Sequence, residues 1–185
     1  MRTTSSKLLL GAALTLSATL ASAAVEVHFI EPDKFTDADN SLMSGGRKRD
    51  EVLKDIQQHL RKLGDKYLPG QDLLIEVTDV DLAGVVRPVG PRMEMIRILD
   101  SIGRPAITLN YTVSRDGQEL RKGVGRLSDL NYQESFNQYP GNDPLRYEKR
   151  MMDKWFEKEF GAPATRSQLK PEPDNQKAKG KDPGG

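Results

Sequence analysis

A chain of 185 residues with 28 basic and 27 acidic side chains carries a formal charge of +1. Such a balance supplies no global field to draw nucleic acid or an anionic membrane, so neither is expected as a partner. The complete absence of cysteine excludes disulfides, thiolate metal sites and cysteine nucleophiles, and the length suits one domain with terminal extensions.

Residues 1–23 read as a secretory signal. Arg2 and Lys7 charge its start, Leu8 to Leu20 is apolar, and Ala21-Ser22-Ala23 is a small-residue cleavage site. Cleavage after Ala23 leaves 26 basic against 27 acidic residues and no transmembrane anchor. The expected location is therefore periplasmic or secreted. A domain over 24–161, about 138 residues, is long enough to be held by its core alone. Residues 162–185 are rich in Pro, Lys, Asp, Gln and Gly and read as a disordered tail.

Within the domain, Val25, Val27 and Phe29 alternate with Glu26 and His28, which predicts a first strand ending at Pro32. His28 falls on the opposite, solvated face. The loop 33–46 offers Asp33, Asp37 and Asp39, but Leu42 and Lys48 stand where a calcium loop needs Gly and Glu. Helical spacing of Val52, Leu53, Ile56, Leu60 and Leu63 predicts a helix over 47–63, with Gly64 able to end it. Arg47, Lys48 and Arg49 stand beside Asp50 and Glu51 and read as a solvated helix start. His59 borders the apolar stripe. With no second histidine one turn away it reads as a boundary residue, not a ligand.

Leu73, Ile75 and Val77 predict a strand running on through Asp79 and Asp81. Period two puts those two carboxylates on one face, where they could hold a divalent metal or simply face water. Pro88, Gly90 and Pro91 break the pattern over 85–104, which is expected to be an extended edge segment. Ile107, Leu109, Tyr111 and Val113 alternate again, and Asp116-Gly117 is a hairpin turn. A simple two-residue loop pairs Val113 with Leu120, Tyr111 with Lys122 and Leu109 with Val124. Gly123 and Gly125 then leave room on the polar face or mark a bulge.

The last element is a helix over 143–160. Asp143 suits the N-cap, Pro144 the first turn and Gly161 the C-terminal end. Leu145, Met152, Trp155, Phe156 and Phe160 form its apolar face, so Trp155→Ala should cost about 3–5 kcal/mol if that face closes the core. The expected architecture is α+β: a mainly antiparallel sheet of four or five strands with both helices on one face, in the order β-α-β-β-β-α.

Several segments together resemble a family of secreted bacterial proteins labelled domain of unknown function 3016. They are VEVHFIEPDKFTD at 25–37, LPGQDL at 68–73, VDLAG at 80–84, RLSDLNY at 126–132 and DPLRYEKRMMDKWF at 143–156. The resemblance implies an exported bacterial domain and transfers no catalytic or binding residue.

No G-x-S-x-G, H-E-x-x-H, phosphate loop or dinucleotide fingerprint is present. Ser128 beside Asp129 makes no triad without His28 or His59. No catalytic residue and no cofactor is assigned. The expected interaction surface is Asp129, Asn131, Tyr132, Arg146, Tyr147 and Arg150, since Tyr and Arg carry binding energy at interfaces. The same residues could equally pin the loop to the last helix. The leading expectation is a non-enzymatic periplasmic interaction or envelope-maintenance module with an envelope protein partner. A ligand or metal binder using Asp79, Asp81 and Asp129, or an unfamiliar hydrolase using those acids and His28, are the alternatives.

Overall fold

The computed structural model describes residues 24–39, 41 and 46–162. The expected signal segment 1–23, its cleavage site and the tail from 163 onward lie outside the described residues. Among the described residues, eight strands and α-helices follow in order: β1 (Val25–Phe29), α1 (Arg49–Tyr67), β2 (Asp72–Asp81), β3 (Val85–Val89), β4 (Glu94–Ile98), β5 (Ala106–Arg115), β6 (Gln118–Ser128) and α2 (Arg146–Phe160). The fold is α+β.

The main sheet has the order β1-β2-β5-β6. β1 runs parallel to β2, because α1 carries the chain back across the sheet between them. The β2–β5 and β5–β6 pairs are antiparallel. Both helices cover one face. Ile56 and Leu60 of α1 and Met152 and Phe156 of α2 meet Ile75, Val77 and Leu109 of the sheet in one core.

Three boundaries differ from expectation. α1 starts at Arg49 and runs through Gly64 to Tyr67. A Cβ at Gly64 would lie 2.7 Å from the Val25 side chain, so this glycine serves close approach of α1 to β1, not helix termination. α2 starts at Arg146, not at 143. Asp143 still organises the approach: its carboxylate accepts from Leu145 N–H at 2.9 Å and from Lys149 Nζ at 2.7 Å.

Two bulges reset the register. Val77 faces Leu109 but Asp79 faces Thr108, leaving Thr78 unpaired as an extra residue. The buried alternation Leu73, Ile75, Val77 therefore resumes at Val80. In β6, Glu119 faces Ser114 but Arg121 faces Val113, so Leu120 is extra. The expected pairing of Val113 with Leu120 is thus wrong by one residue beyond the turn. Tyr111 faces Gly123 and Leu109 faces Gly125. The glycines sit on the helix-covered face, not the polar one. A Cβ at Gly123 would strike the Tyr111 ring, and one at Gly125 would lie 2.8 Å from the Trp155 indole. The turn itself is as expected: Asp116 and Gly117 both have positive φ, 52° and 77°, as a tight hairpin turn requires.

Segment 85–104 is not an edge of the main sheet. β3 and β4 form a separate antiparallel hairpin around Gly90–Met93. Pro88 is tolerated because β3 has a partner on one side only. The observed order is therefore β-α-β-β-β-β-β-α, six strands in two sheets. On α2, Phe156 is fully buried while Trp155 is only partly covered. The deepest aromatic anchor is Phe156, and Trp155→Ala is accordingly expected to cost only about 2 kcal/mol.

Candidate functional site

The loop after β6 is bound to α2 by an interior cation. Arg150 is 4 % exposed. Its guanidinium donates to Asp129 Oδ2 at 2.7 Å, to the Tyr132 carbonyl at 2.9 Å, and to the Ser135 and Phe136 carbonyls at 2.5 and 2.9 Å. Lys154 reaches the same Asp129 oxygen at 3.2 Å. Burial raises the Asp129 carboxyl, but the hydrogen bonds from Lys154 and Arg150 outweigh it and hold it below the usual value. Tyr132 is buried, and its hydroxyl donates to the Asp100 carbonyl at 2.7 Å.

Of the six residues expected at an interaction surface, Asp129, Tyr132 and Arg150 are therefore interior. They fasten the loop to α2 and to the foot of the β3–β4 hairpin, which corrects their placement on the surface. Asn131 is exposed, and Arg146 and Tyr147 are half-buried. Aromatic contact orders the latter pair. Tyr147 meets Tyr132 edge-on at 4.9 Å, and the Arg146 guanidinium lies 5.1 Å from the Tyr147 ring centre.

Asp79 and Asp81 do share the sheet face turned away from Val80, because of the Thr78 bulge. Asp79 accepts from Thr36 N–H at 2.8 Å and from Thr36 Oγ1 at 2.9 Å. Asp37 pairs with Arg97 at 2.8 Å. Burial, then the charges of Asp37 and Asp79, push the Asp81 carboxyl up. Asp79 thus ties the loop after β1 to the end of β2, and Asp37 ties the same loop to β4. Among the described residues, no group of three or more His, Asp or Glu side chains is placed to hold a metal ion.

The histidines are far apart in role. His28 is exposed on β1 with Glu26 at 3.5 Å, at the opposite edge of the sheet from Ser128 on β6. His59 is 8 % exposed and pairs with Asp153 at 2.8 Å. Tyr139 donates to the other Asp153 oxygen at 2.6 Å, and burial raises the Tyr139 hydroxyl strongly. Sequence reasoning missed this bridge between α1, α2 and the loop, since His59 and Asp153 are 94 residues apart.

A pocket of about 190 Å³ opens where the first turn of α2 meets the end of β2 and the end of β4. Leu82, Ala83, Arg97, Leu99, Tyr147 and Glu148 line it. Glu148 is 2 % exposed; its Oε1 accepts from Ala83 N–H at 2.8 Å and its Oε2 is buried with no partner. Burial pushes this carboxyl up, against the lowering effects of the Ala83 N–H and the Arg97 charge. A raised folded value means that the group's contribution to stability is full below the unfolded value of 4.5 and is lost as pH rises. Glu148→Gln should therefore match the parent melting temperature near pH 4 and exceed it by an increasing margin towards pH 8. Thermal melts across that window check it, and a less stable variant at pH 8 would contradict the sign.

The fold and these clusters define a small α+β domain whose titratable groups serve mainly to fasten loops, with one buried acid facing a pocket. The family model described as "Protein of unknown function (DUF3016)" matches residues 23–158, and the chain belongs to that family. No curated protein and no solved structure matches it.

Proposed function

We propose that this protein is a non-enzymatic interaction module of the bacterial cell envelope, acting after export, and that the β3–β4 hairpin contacts its partner. The carrying observation is the composition of the hairpin's outer face. Val89, Ile96 and Ile98 share that face by register and are each at least 36 % exposed, with Met93, Leu99 and Ile102 exposed beside them. Scattered surface apolar residues are ordinary, but four on one hairpin, with two more in the segment that follows it, mark a contact surface. A two-stranded ribbon is also marginal in water unless something covers it. Arg87, Arg92 and Glu94 are exposed on the same hairpin and Arg87 pairs with Asp100, so the charges there favour neither sign and the fitting partner is a protein surface with apolar side chains. Export rests on the charged, apolar and small-residue segments of 1–23. No helix among the described residues is long and apolar enough to cross a membrane.

The test is cross-linking in intact cells from a photoreactive residue at position 96. One envelope protein should be captured reproducibly, and Ile98→Glu should abolish capture while changing stability by about 0.5 kcal/mol or less. Capture of lipid only, or of nothing, would overturn the reading.

A further inference from the structure

Two buried polar atoms on residues that line the pocket beside α2 have no partner in the described structure. One is Glu148 Oε2 and the other is Arg146 Nε. Both residues line the pocket. Unpartnered buried polar atoms are uncommon and costly, and two at one pocket point to a ligand that completes them.

The charges facing this space select the ligand. Arg97 approaches from β4, where it is engaged with Asp37 and with the Ala83 and Gly84 carbonyls. Asp143, from the turn before α2, is neutralised by Lys149 at 2.7 Å. Arg146 makes no ion pair with any described residue, and only the Tyr147 ring shares its charge. A cation would meet two guanidinium groups. An anion would meet an unpaired one, with Arg97 behind it, and the Glu148 carboxyl, whose charged form burial disfavours. Planar carboxylate geometry matches the guanidinium fork, and one carboxylate oxygen can share a proton with Glu148 Oε2. The walls of Leu82, Leu99 and Pro144 suit a short carbon stem. A pocket of about 190 Å³ is small for a nucleotide but ample for a carboxylate with a few carbon atoms.

We infer that this pocket binds a small carboxylate, held by Arg146 and Glu148 at the first turn of α2. The inference stands whether or not the hairpin docks a protein. The carboxylate can belong to a free short-chain acid or to the C-terminus of a peptide.

The test is an amide and arginine Nε chemical-shift titration with sodium propanoate, against sodium chloride at matched ionic strength and against propanamide. Propanoate should shift Ala83, Arg146 and Glu148 saturably, with a Kd of about 1 mM or tighter. Chloride and propanamide should not. Arg146→Gln should weaken binding about tenfold or more, while Glu148→Gln, which places a donor at Oε2's position, should retain it. A tripeptide with a free C-terminus that binds more tightly than its amidated form identifies the peptide source; propanoate binding without it identifies the free acid. Equal shifts with chloride, equal binding of propanamide, undiminished binding by an Arg146→Gln variant of parent melting temperature, or no saturable shift would each overturn the assignment.

Discussion

Arg150→Ala is expected to be among the most damaging single substitutions in this domain, costing about 3–5 kcal/mol. The buried guanidinium satisfies one carboxylate and three main-chain carbonyls at once. Truncation leaves Asp129 buried with only the half-exposed Lys154 and the Asn131 N–H as partners, and leaves three carbonyls of the 132–136 loop without their donor. Urea unfolding measures the loss. It should be accompanied by proteolytic cleavage within the loop, which parent protein resists. The pH dependence has a definite sign. Asp129 is held below its unfolded value of 3.8, so its contribution is complete above that value and disappears as pH falls through the lower folded one. The gap between parent and Arg150→Ala should therefore narrow on acidification below about pH 4. A gap independent of pH would show that the carbonyl contacts, not the ion pair, carry the effect.

Phe156→Ala should cost about 3–5 kcal/mol as well, by a different mechanism. Phe156 is fully buried and packs among Tyr67, Trp155 and Phe160, with ring centres 5.1–5.7 Å apart. Removing it opens a cavity between α1 and α2 that rigid neighbours cannot refill. Phe156→Leu should recover more than half of the loss, because volume and not ring chemistry matters there. Trp155→Ala, at about 2 kcal/mol, provides the comparison, since part of that indole already faces water. A larger loss from Trp155 than from Phe156 would contradict the deeper burial of Phe156.

Much of the architecture was readable before any coordinates. The 3.6-residue spacing of Val52, Ile56, Leu60 and Leu63 and of Met152, Phe156 and Phe160 identifies both helices. The alternation at 25–29, 73–77 and 107–113 identifies the strands, and Asp116-Gly117 the hairpin. These signals are local, since each is set by the period of one element or the dihedral preference of one turn. The candidate pocket was not readable. Glu148 reads as an ordinary charged residue on a helix, and no local pattern reveals that its carboxyl meets the Ala83 N–H 65 residues earlier. The Asp129–Arg150 cluster was half legible. Its members are a plausible group by type, but type alone does not separate a contact surface from an interior pin.

Chain composition and periodicity by themselves determined an α+β domain without cysteine, two amphipathic helices on one sheet face, and the absence of familiar catalytic motifs. Tertiary structure alone decided the rest. It set the register past Thr78 and Leu120, because a bulge is fixed by what the shifted side chains pack against: Val80 turns inward and Gly123 and Gly125 admit Tyr111 and Trp155. It detached 85–98 as a separate hairpin, since pairing partners are chosen by geometry across the fold. It also buried Arg150 and Glu148, one hydrogen-bonded through both terminal nitrogens and the other left with a free oxygen, because burial depends on which distant segments close over a side chain.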